Sequence, residues 1–288
     1  MKRCYKIVLG LVCALALMGC GAKDGPEEVV VIEQMEEIAE SEPVETETIV
    51  DENIVEEEPE DILEEEDVAK VEETLPEKKG YLIVIDAGHQ QKGNSEKEPV
   101  GPGASEMKAK VAGGTTGVST GIPEYQLTLK VALLLEEILL ERGYEVLMVR
   151  STHEVNISNA ERAAVANEAG ADAFIRIHAN GAGDSSVNGA MTLCQTPSNP
   201  YNGELYEVSR KLSDCVLDAF VEKTGAKKQR VWETDTMSGI NWATVPTTIV
   251  EMGYMSNPQE DEKMATEEYQ KLMAEGIADG IDRYFEFE

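Results

Sequence analysis

The segment ADAFIRIHAN, residues 171–180, is an apolar run of strand length that ends in a histidine, an alanine and an asparagine. A continuous apolar run of this kind is typical of a buried strand. YLIVIDAGH at 81–89 and VPTTIVEMG at 245–253 have the same texture, and shorter strands are predicted at 144–150 and 188–194.

Helical patterns alternate with these strands. They cover residues 124–142, 158–169, 204–223 and 262–285. Alternating strands and helices indicate a mostly parallel sheet with helices on both faces. We therefore expect an α/β fold, in which a single domain is built on a mostly parallel central sheet of about six strands.

Three polar side chains fall at or just past the ends of predicted strands. His89 ends the run at 81–89, His178 lies near the end of the run at 171–180, and Glu251 ends the stretch TTIVE within 245–253. The carboxyl ends of parallel strands lie at the edge of the sheet where ligands bind. We therefore expect these three residues to share one edge.

Two of the three histidines in the chain are thus candidates for a metal site. Catalytic zinc takes three nitrogen or oxygen ligands from the protein and keeps a position open for water. The third ligand is either His153, in a polar connection after a strand, or Glu124, at the start of a predicted helix. The pattern of residues leaves both open.

The first twenty residues, MKRCYKIVLGLVCALALMGC, have the pattern of a signal peptide. A basic start precedes about a dozen apolar residues, and LMGC resembles the lipobox of bacterial lipoproteins. This resemblance implies a signal peptide at 1–19 and lipid modification of Cys20. Two or more acyl chains would then anchor the protein to the outer face of the bacterial cell membrane. An ordinary secretory peptide and an uncleaved anchor are the alternatives.

A strongly acidic segment follows. The formal net charge of the chain is −31, and residues 24–79 contain 24 Asp and Glu but only 3 Lys, with no Phe, Trp or Tyr. Acid-rich sequence without aromatic residues buries too little apolar surface to order itself. We therefore expect residues 20–79 to be a disordered linker before a catalytic domain at 80–288. The charge argues against nucleic-acid binding, which uses basic patches.

Cysteines suggest no metal site of their own. Cys194 and Cys215 are the only two of the five that lie beyond the N-terminal twenty residues, and the chain has no C-x-x-C pair. They form either a disulfide or, as we expect, two separate buried thiols.

The blocks VIDAGH, GIPEYQLTLKVA, FIRIHAN and TTIVEMGYMSN resemble, in order and spacing, the signature blocks of zinc-dependent N-acetylmuramoyl-L-alanine amidases. The resemblance covers residues 81–286. It implies one zinc ion held by His89, Glu124 and His178, with Glu251 as the catalytic acid and base. It also implies that the substrate is peptidoglycan, cut between N-acetylmuramic acid and L-alanine during wall remodelling, division or autolysis.

The chain departs from this family pattern at two positions. Ala87 stands where the family often has proline, and Arg176 stands where it often has serine. Arg176 is therefore a candidate for altered substrate contacts or local charge. Asp86 is a candidate hydrogen-bond partner for a ligand imidazole, and Asn180 and Asn257 are candidate contacts to substrate.

The long glycine-rich segment 91–123 is expected to shape the cleft or to fold over it. No second wall-binding domain or internal repeat is evident. We expect the protein to be a monomer. A protein activator is possible, but no residue pattern identifies one. Two other functions remain open: a zinc peptidase that cuts within the stem peptide, and a non-catalytic wall-binding or activator lipoprotein.

Overall fold

The computed structural model describes residues 77–286, so the signal peptide, Cys20 and nearly all of the acidic linker lie outside the described residues. A six-stranded sheet forms the centre. Its strands are β1 (Leu82–Ala87), β4 (Glu145–Met148), β5 (Ala173–Asn180), β6 (Ala190–Cys194), β7 (Lys228–Glu233) and β8 (Thr247–Tyr254). They lie in the order β4-β1-β5-β8-β6-β7, and neighbouring strands are parallel except for β6 and β8, which are antiparallel.

Helices cover both faces of this sheet, which confirms the predicted architecture. Ile83 and Ile85 of β1 face one layer, and Val84 faces the other, as expected where successive side chains alternate. The first layer contains α1 (Glu124–Glu141), α3 (Tyr206–Thr224) and α6 (Glu267–Tyr284). The second contains α2 (Asn159–Ala169) and the short helix α4 (Ser238–Asn241). No helix within residues 77–286 is long and apolar enough to cross a bilayer.

The C-terminal helix predicted at 262–285 is two helices. α5 (Pro258–Met264) ends at Ala265, and α6 begins after Thr266, whose hydroxyl accepts a hydrogen bond from the backbone N–H of Tyr269. This side-chain cap starts a new helix inside a continuous helical pattern.

The segment 91–123 contains an antiparallel hairpin, β2 (Asn94–Pro99) and β3 (Met107–Val111). The hairpin lies against the layer of α2 and α4, where Asn159 Nδ2 donates to the carbonyl of Lys110 at 3.0 Å and Trp242 Nε1 to that of Pro99 at 2.9 Å. It therefore covers a helical face of the domain.

The stretch that follows the hairpin returns to the sheet edge. The Asp261 carboxylate accepts hydrogen bonds from the backbone N–H groups of Ser119 and Thr120 and from the Thr120 hydroxyl, at 2.7–2.8 Å. This part of 91–123 is thereby attached to α5. Cys194 and Cys215 are separate free thiols, as expected, but only Cys194 is buried, whereas Cys215 is half-buried.

Candidate metal centre and active site

Three side chains converge at one edge of the sheet. Glu124 Oε1 lies 3.1 Å from His89 Nε2 and 3.1 Å from His178 Nδ1, and the two imidazole nitrogens lie 3.1 Å from each other. Within residues 77–286 this is the one group of three His, Cys, Asp or Glu side chains arranged to hold a metal ion. Ligands of a tetrahedral zinc ion lie about 3.3 Å apart, so the spacing fits.

His89 is held in an uncommon backbone conformation. It follows β1 by two residues and has a φ of 60°, in the left-handed region that non-glycine residues rarely adopt. Its Nδ1 is 2.9 Å from the carbonyl of Ala112, to which it can only donate. That bond leaves Nε2 without a proton in the neutral imidazole, so its lone pair faces the cluster.

A glycine before His89 makes room for the second imidazole. A Cβ added to Gly88 would lie 2.4 Å from Cε1 of His178. The ring of His178 therefore occupies space that only glycine leaves open. Burial lowers the pKa of His178 to about 4, which keeps the imidazole neutral, as a metal ligand must be.

Glu124 reaches the cluster from the first residue of α1. Its Oε2 accepts from the N–H of Thr115 at 2.8 Å, and its Oε1 from the N–H of Ala179 at 3.1 Å. Burial alone would raise the pKa of Glu124, but His89 and His178 outweigh it and hold the pKa well below its usual range. The centre thus offers two nitrogen donors and one anionic oxygen donor.

Glu251 lies beside this cluster on β8, directly opposite His178 in the strand pairing. Its Oε2 is buried and has no hydrogen-bond partner among the described residues. Burial, and then the nearby charge of Glu124, raises the pKa of Glu251 well above its usual value. A carboxyl group with a raised pKa and an unpartnered oxygen is suited to take up and release a proton.

The third histidine is elsewhere. His153 packs edge-on against the ring of Tyr125, with the ring centroids 5.2 Å apart, and lies outside the cluster. Glu124, and not His153, is the third member of the cluster.

Asp86 and Arg176 are buried below the cluster and bind each other. Asp86 accepts from Arg162 Nη1 at 2.6 Å and from Arg176 Nε at 2.9 Å, so both carboxylate oxygens face arginines. The imidazole of His89 instead has the carbonyl of Ala112 as its partner. Asp86 acts on the centre indirectly, because Arg162 Nη2 donates to the carbonyl of His89 at 2.9 Å.

Asn180 and Asn257 organise the loops beside the centre. Asn180 Oδ1 accepts from the N–H of Gly181 at 2.8 Å. Asn257 caps α5 and donates through Nδ2 to the carbonyl of Ser185 at 3.0 Å. Both ends of the Asn257 amide therefore make hydrogen bonds within the protein. Asn180 Nδ2, in contrast, makes no hydrogen bond within residues 77–286 and is available to a ligand.

Sequence reasoning gave no role to Thr115 and Arg150. Arg150 is buried and donates to the carbonyls of Ala87, Gly88 and Tyr125, at 2.8–3.0 Å, which ties the turn before His89 to the start of α1. The available signal was an arginine at the end of the strand predicted at 144–150. Thr115, in a glycine-rich stretch, offered none.

A family model described as N-acetylmuramoyl-L-alanine amidase matches residues 83–283. The chain is 28% identical over 207 residues to the Bacillus subtilis protein YqiI, covering 72% of this chain and 86% of that one. It is 27% identical to the probable cell wall amidase LytH of Staphylococcus aureus, covering 72% of this chain but 59% of LytH.

Solved structures agree with the family match. The amidase Ami1 of Mycobacterium smegmatis is similar with a TM-score of 0.65 and 25% identity, covering 72% of this chain and 97% of Ami1. The catalytic domain of the amidase CwlV of Bacillus (Paenibacillus) polymyxa is similar with a TM-score of 0.58 and 29% identity, covering 72% and 99%. The chain belongs to the N-acetylmuramoyl-L-alanine amidase family and is an enzyme of that class.

Proposed function

We propose that the chain hydrolyses peptidoglycan at the amide between N-acetylmuramic acid and L-alanine, with one zinc ion held by His89, Glu124 and His178 and with Glu251 as general acid and base. The observation that carries this proposal is the convergence of three potential metal-ligand atoms beside the carboxyl group of Glu251, whose buried Oε2 has no hydrogen-bond partner within residues 77–286. The family match supports the choice of bond.

An amide is a poor electrophile with a poor leaving group. When bound, zinc would supply polarisation of the scissile carbonyl and a lowered pKa for the attacking water. Glu251 takes one proton from that water as the carbon–oxygen bond forms. It returns the proton to the nitrogen as the carbon–nitrogen bond breaks, so the products are a muramic acid carboxylate and a peptide with a free L-alanine amine.

The carboxylate among the ligands adjusts the charge of the centre. Glu124 carries one negative charge, so a zinc dication bound by Glu124 and two neutral imidazoles would give the centre a net charge of plus one. The N–H groups of Thr115 and Ala179 donate to the Glu124 oxygens and hold the carboxylate in place.

The proposal is tested by zinc analysis and mass spectrometry of digested cell wall. Glu251→Gln should retain one zinc per chain and the fold but release no new L-alanine amino termini, whereas His178→Ala should lose zinc. His153→Ala is the matched control and should keep both. Cleavage between two amino acids would instead identify a zinc peptidase, and turnover by Glu251→Gln would remove Glu251 from its role. A wild type that holds zinc but cuts nothing would point to the wall-binding or activator function.

We also propose that the domain is a lipoprotein, with a signal peptide at 1–19, lipid on Cys20 and a linker to residue 79 that lets a catalytic domain at 80–288 reach the wall. Incorporation of labelled fatty acid into the wild type but not into Cys20→Ser would support this. Equal labelling of both, or of neither, would contradict it.

A further inference from the structure

Arg230 differs from the other arginines of the described residues. It is exposed on the edge strand β7, with its guanidinium carbon 5.5 Å from the centroid of the Trp232 ring. Arg150 donates to backbone carbonyls, and the remaining arginines pair with carboxylates: Arg142, Arg162, Arg176, Arg210 and Arg283. Arg230 has no carboxylate or carbonyl partner within residues 77–286, although the chain carries a formal net charge of −31.

Strand pairing places Arg230 near the catalytic carboxylate. Glu251 of β8 lies opposite Met191 of β6. Because Ala190 pairs with Lys228 and Thr192 with Val231, Gln229 and Arg230 both lie opposite Met191. Two strand spacings separate β8 from β7, which puts Arg230 about 10 Å from Glu251 along the sheet.

Arg230 and Glu251 face the same side of the sheet. Trp232, over which Arg230 lies, packs against the buried cluster that contains Met191 and Ile249, and Ile249 is two residues before Glu251 on β8. Burial raises the pKa of Tyr254 in this cluster, the charge of Glu251 adds to the effect and the charge of Arg230 opposes it. The side chain of Tyr254 therefore lies close enough to both Glu251 and Arg230 to be affected by their charges.

Partly exposed apolar side chains pack on the same cluster as Trp232. They are those of Ala182, Val187 and Met237, each only partly buried. A ligand that extends from Glu251 towards β7 would therefore have partly exposed apolar side chains of this cluster available for contact, and would meet at β7 a guanidinium that lies over an aromatic ring.

We propose that Arg230 and Trp232 form a subsite for a carboxylate of the peptide arm of the substrate; this rests on the proposed amidase function. An extended peptide advances about 3.3–3.6 Å per residue, so 10 Å corresponds to about three residues from the bond that is cut. Arginine binds carboxylates through two parallel hydrogen bonds. Contact with the Trp232 ring already restricts the Arg230 side chain, so less conformational entropy would be lost when a carboxylate binds.

The test compares two soluble muramoyl peptides, one with free side-chain and terminal carboxylates and one with carboxamides in their place. Arg230→Ala should lower kcat/KM about ten- to hundredfold on the acidic peptide, through KM, and leave the amide peptide nearly unchanged. Arg230→Lys should recover part of the loss. Lys228→Ala is the matched control, because it removes an exposed cation of β7 that is already paired with Asp218, and should change neither substrate.

A binding measurement separates this inference from the proposed function. The acidic peptide that begins with L-alanine is titrated into the wild type and into Arg230→Ala, and affinity should fall by a similar factor. If the wild type cleaves neither substrate but binds the peptide through Arg230, the amidase proposal fails and the subsite stands. Equal losses on acidic and amide substrates, or unchanged peptide binding in Arg230→Ala, would overturn the subsite; equal losses would point to glycan contacts at Trp232.

Discussion

Replacing Asp86 by alanine tests the buried ionic layer of Asp86, Arg162 and Arg176 below the candidate metal centre. Asp86 is fully buried and is the partner of Arg162 and Arg176, whose side chains are 1% and 4% exposed. Its removal leaves two buried guanidinium groups without their carboxylate. Breaking a buried pair by removing one partner costs about 3–5 kcal/mol, and because two cations lose the same anion we expect about 4 kcal/mol or more. Domains are typically stable by about 5–15 kcal/mol, so this is a large fraction.

Urea unfolding followed by the fluorescence of Trp232 and Trp242 measures this loss. With a slope of about 2 kcal/mol/M, a loss of 4 kcal/mol lowers the midpoint by roughly 2 M, while the slope itself should not change. Glu96→Ala is the control. It breaks the exposed pair with Lys110 and should leave the midpoint where it is.

Asp86→Asn separates charge from packing, because asparagine nearly preserves the shape of the side chain. It should lose most of what Asp86→Ala loses. A loss below about 1 kcal/mol in either variant, with an unchanged slope, would show that Arg162 and Arg176 are satisfied without the carboxylate and would refute the reasoning.

The pKa of Asp86 is lower in the folded protein than in the unfolded chain, so its contribution to stability is complete above the unfolded pKa of about 4 and is lost as the pH falls towards the folded value. The difference in unfolding free energy between wild type and Asp86→Asn should therefore shrink on acidification below pH ~4. A difference that stays constant over this pH range would contradict this reasoning. Gly88→Ala should weaken zinc binding about tenfold or more in a chelator competition, because the added Cβ would lie 2.4 Å from the ring of His178; unchanged affinity would mean that the ring shifts without cost. Burial raises the pKa of Cys194 to about 11, so iodoacetamide at pH 8 should label Cys215 well before Cys194 in native protein, as read by peptide mass mapping; the reverse order would contradict the structure.

The strands that sequence predicted best are those buried on both faces. β1, β5 and β8 are continuous apolar runs because helices cover both sides of them. The edge strand β7, KQRVWE, and the hairpin strands NSEKEP and MKAKV carry charges at exposed positions and have no such run. Their pairing depends on neighbours that are distant in sequence, so a local pattern could not reveal it.

The site was predictable to the same extent. His89, His178 and Glu251 follow from strand ends, since parallel strands bring those ends together. Glu124 needed the family resemblance, because its position depends on how α1 packs against the sheet edge. The left-handed backbone of His89 and its bond to Ala112 arise from long-range contacts that leave no local signal.

The ionic layer and the candidate metal centre lie on the same side of the sheet, and their charges are coupled. Asp86 pairs with Arg176 across β1 and β5, and His178 follows Arg176 by two residues, so its ring lies on the same face one step nearer the edge. With Asp86 ionised, the layer carries one net positive charge, which favours the negative charge of Glu124 above it. Without Asp86 the layer would carry two, directly below a site proposed to receive a dication. Loss of Asp86 should therefore reduce stability and zinc affinity together, whereas a defect confined to a ligand, such as His178→Ala, should reduce zinc affinity far more than stability of the metal-free fold.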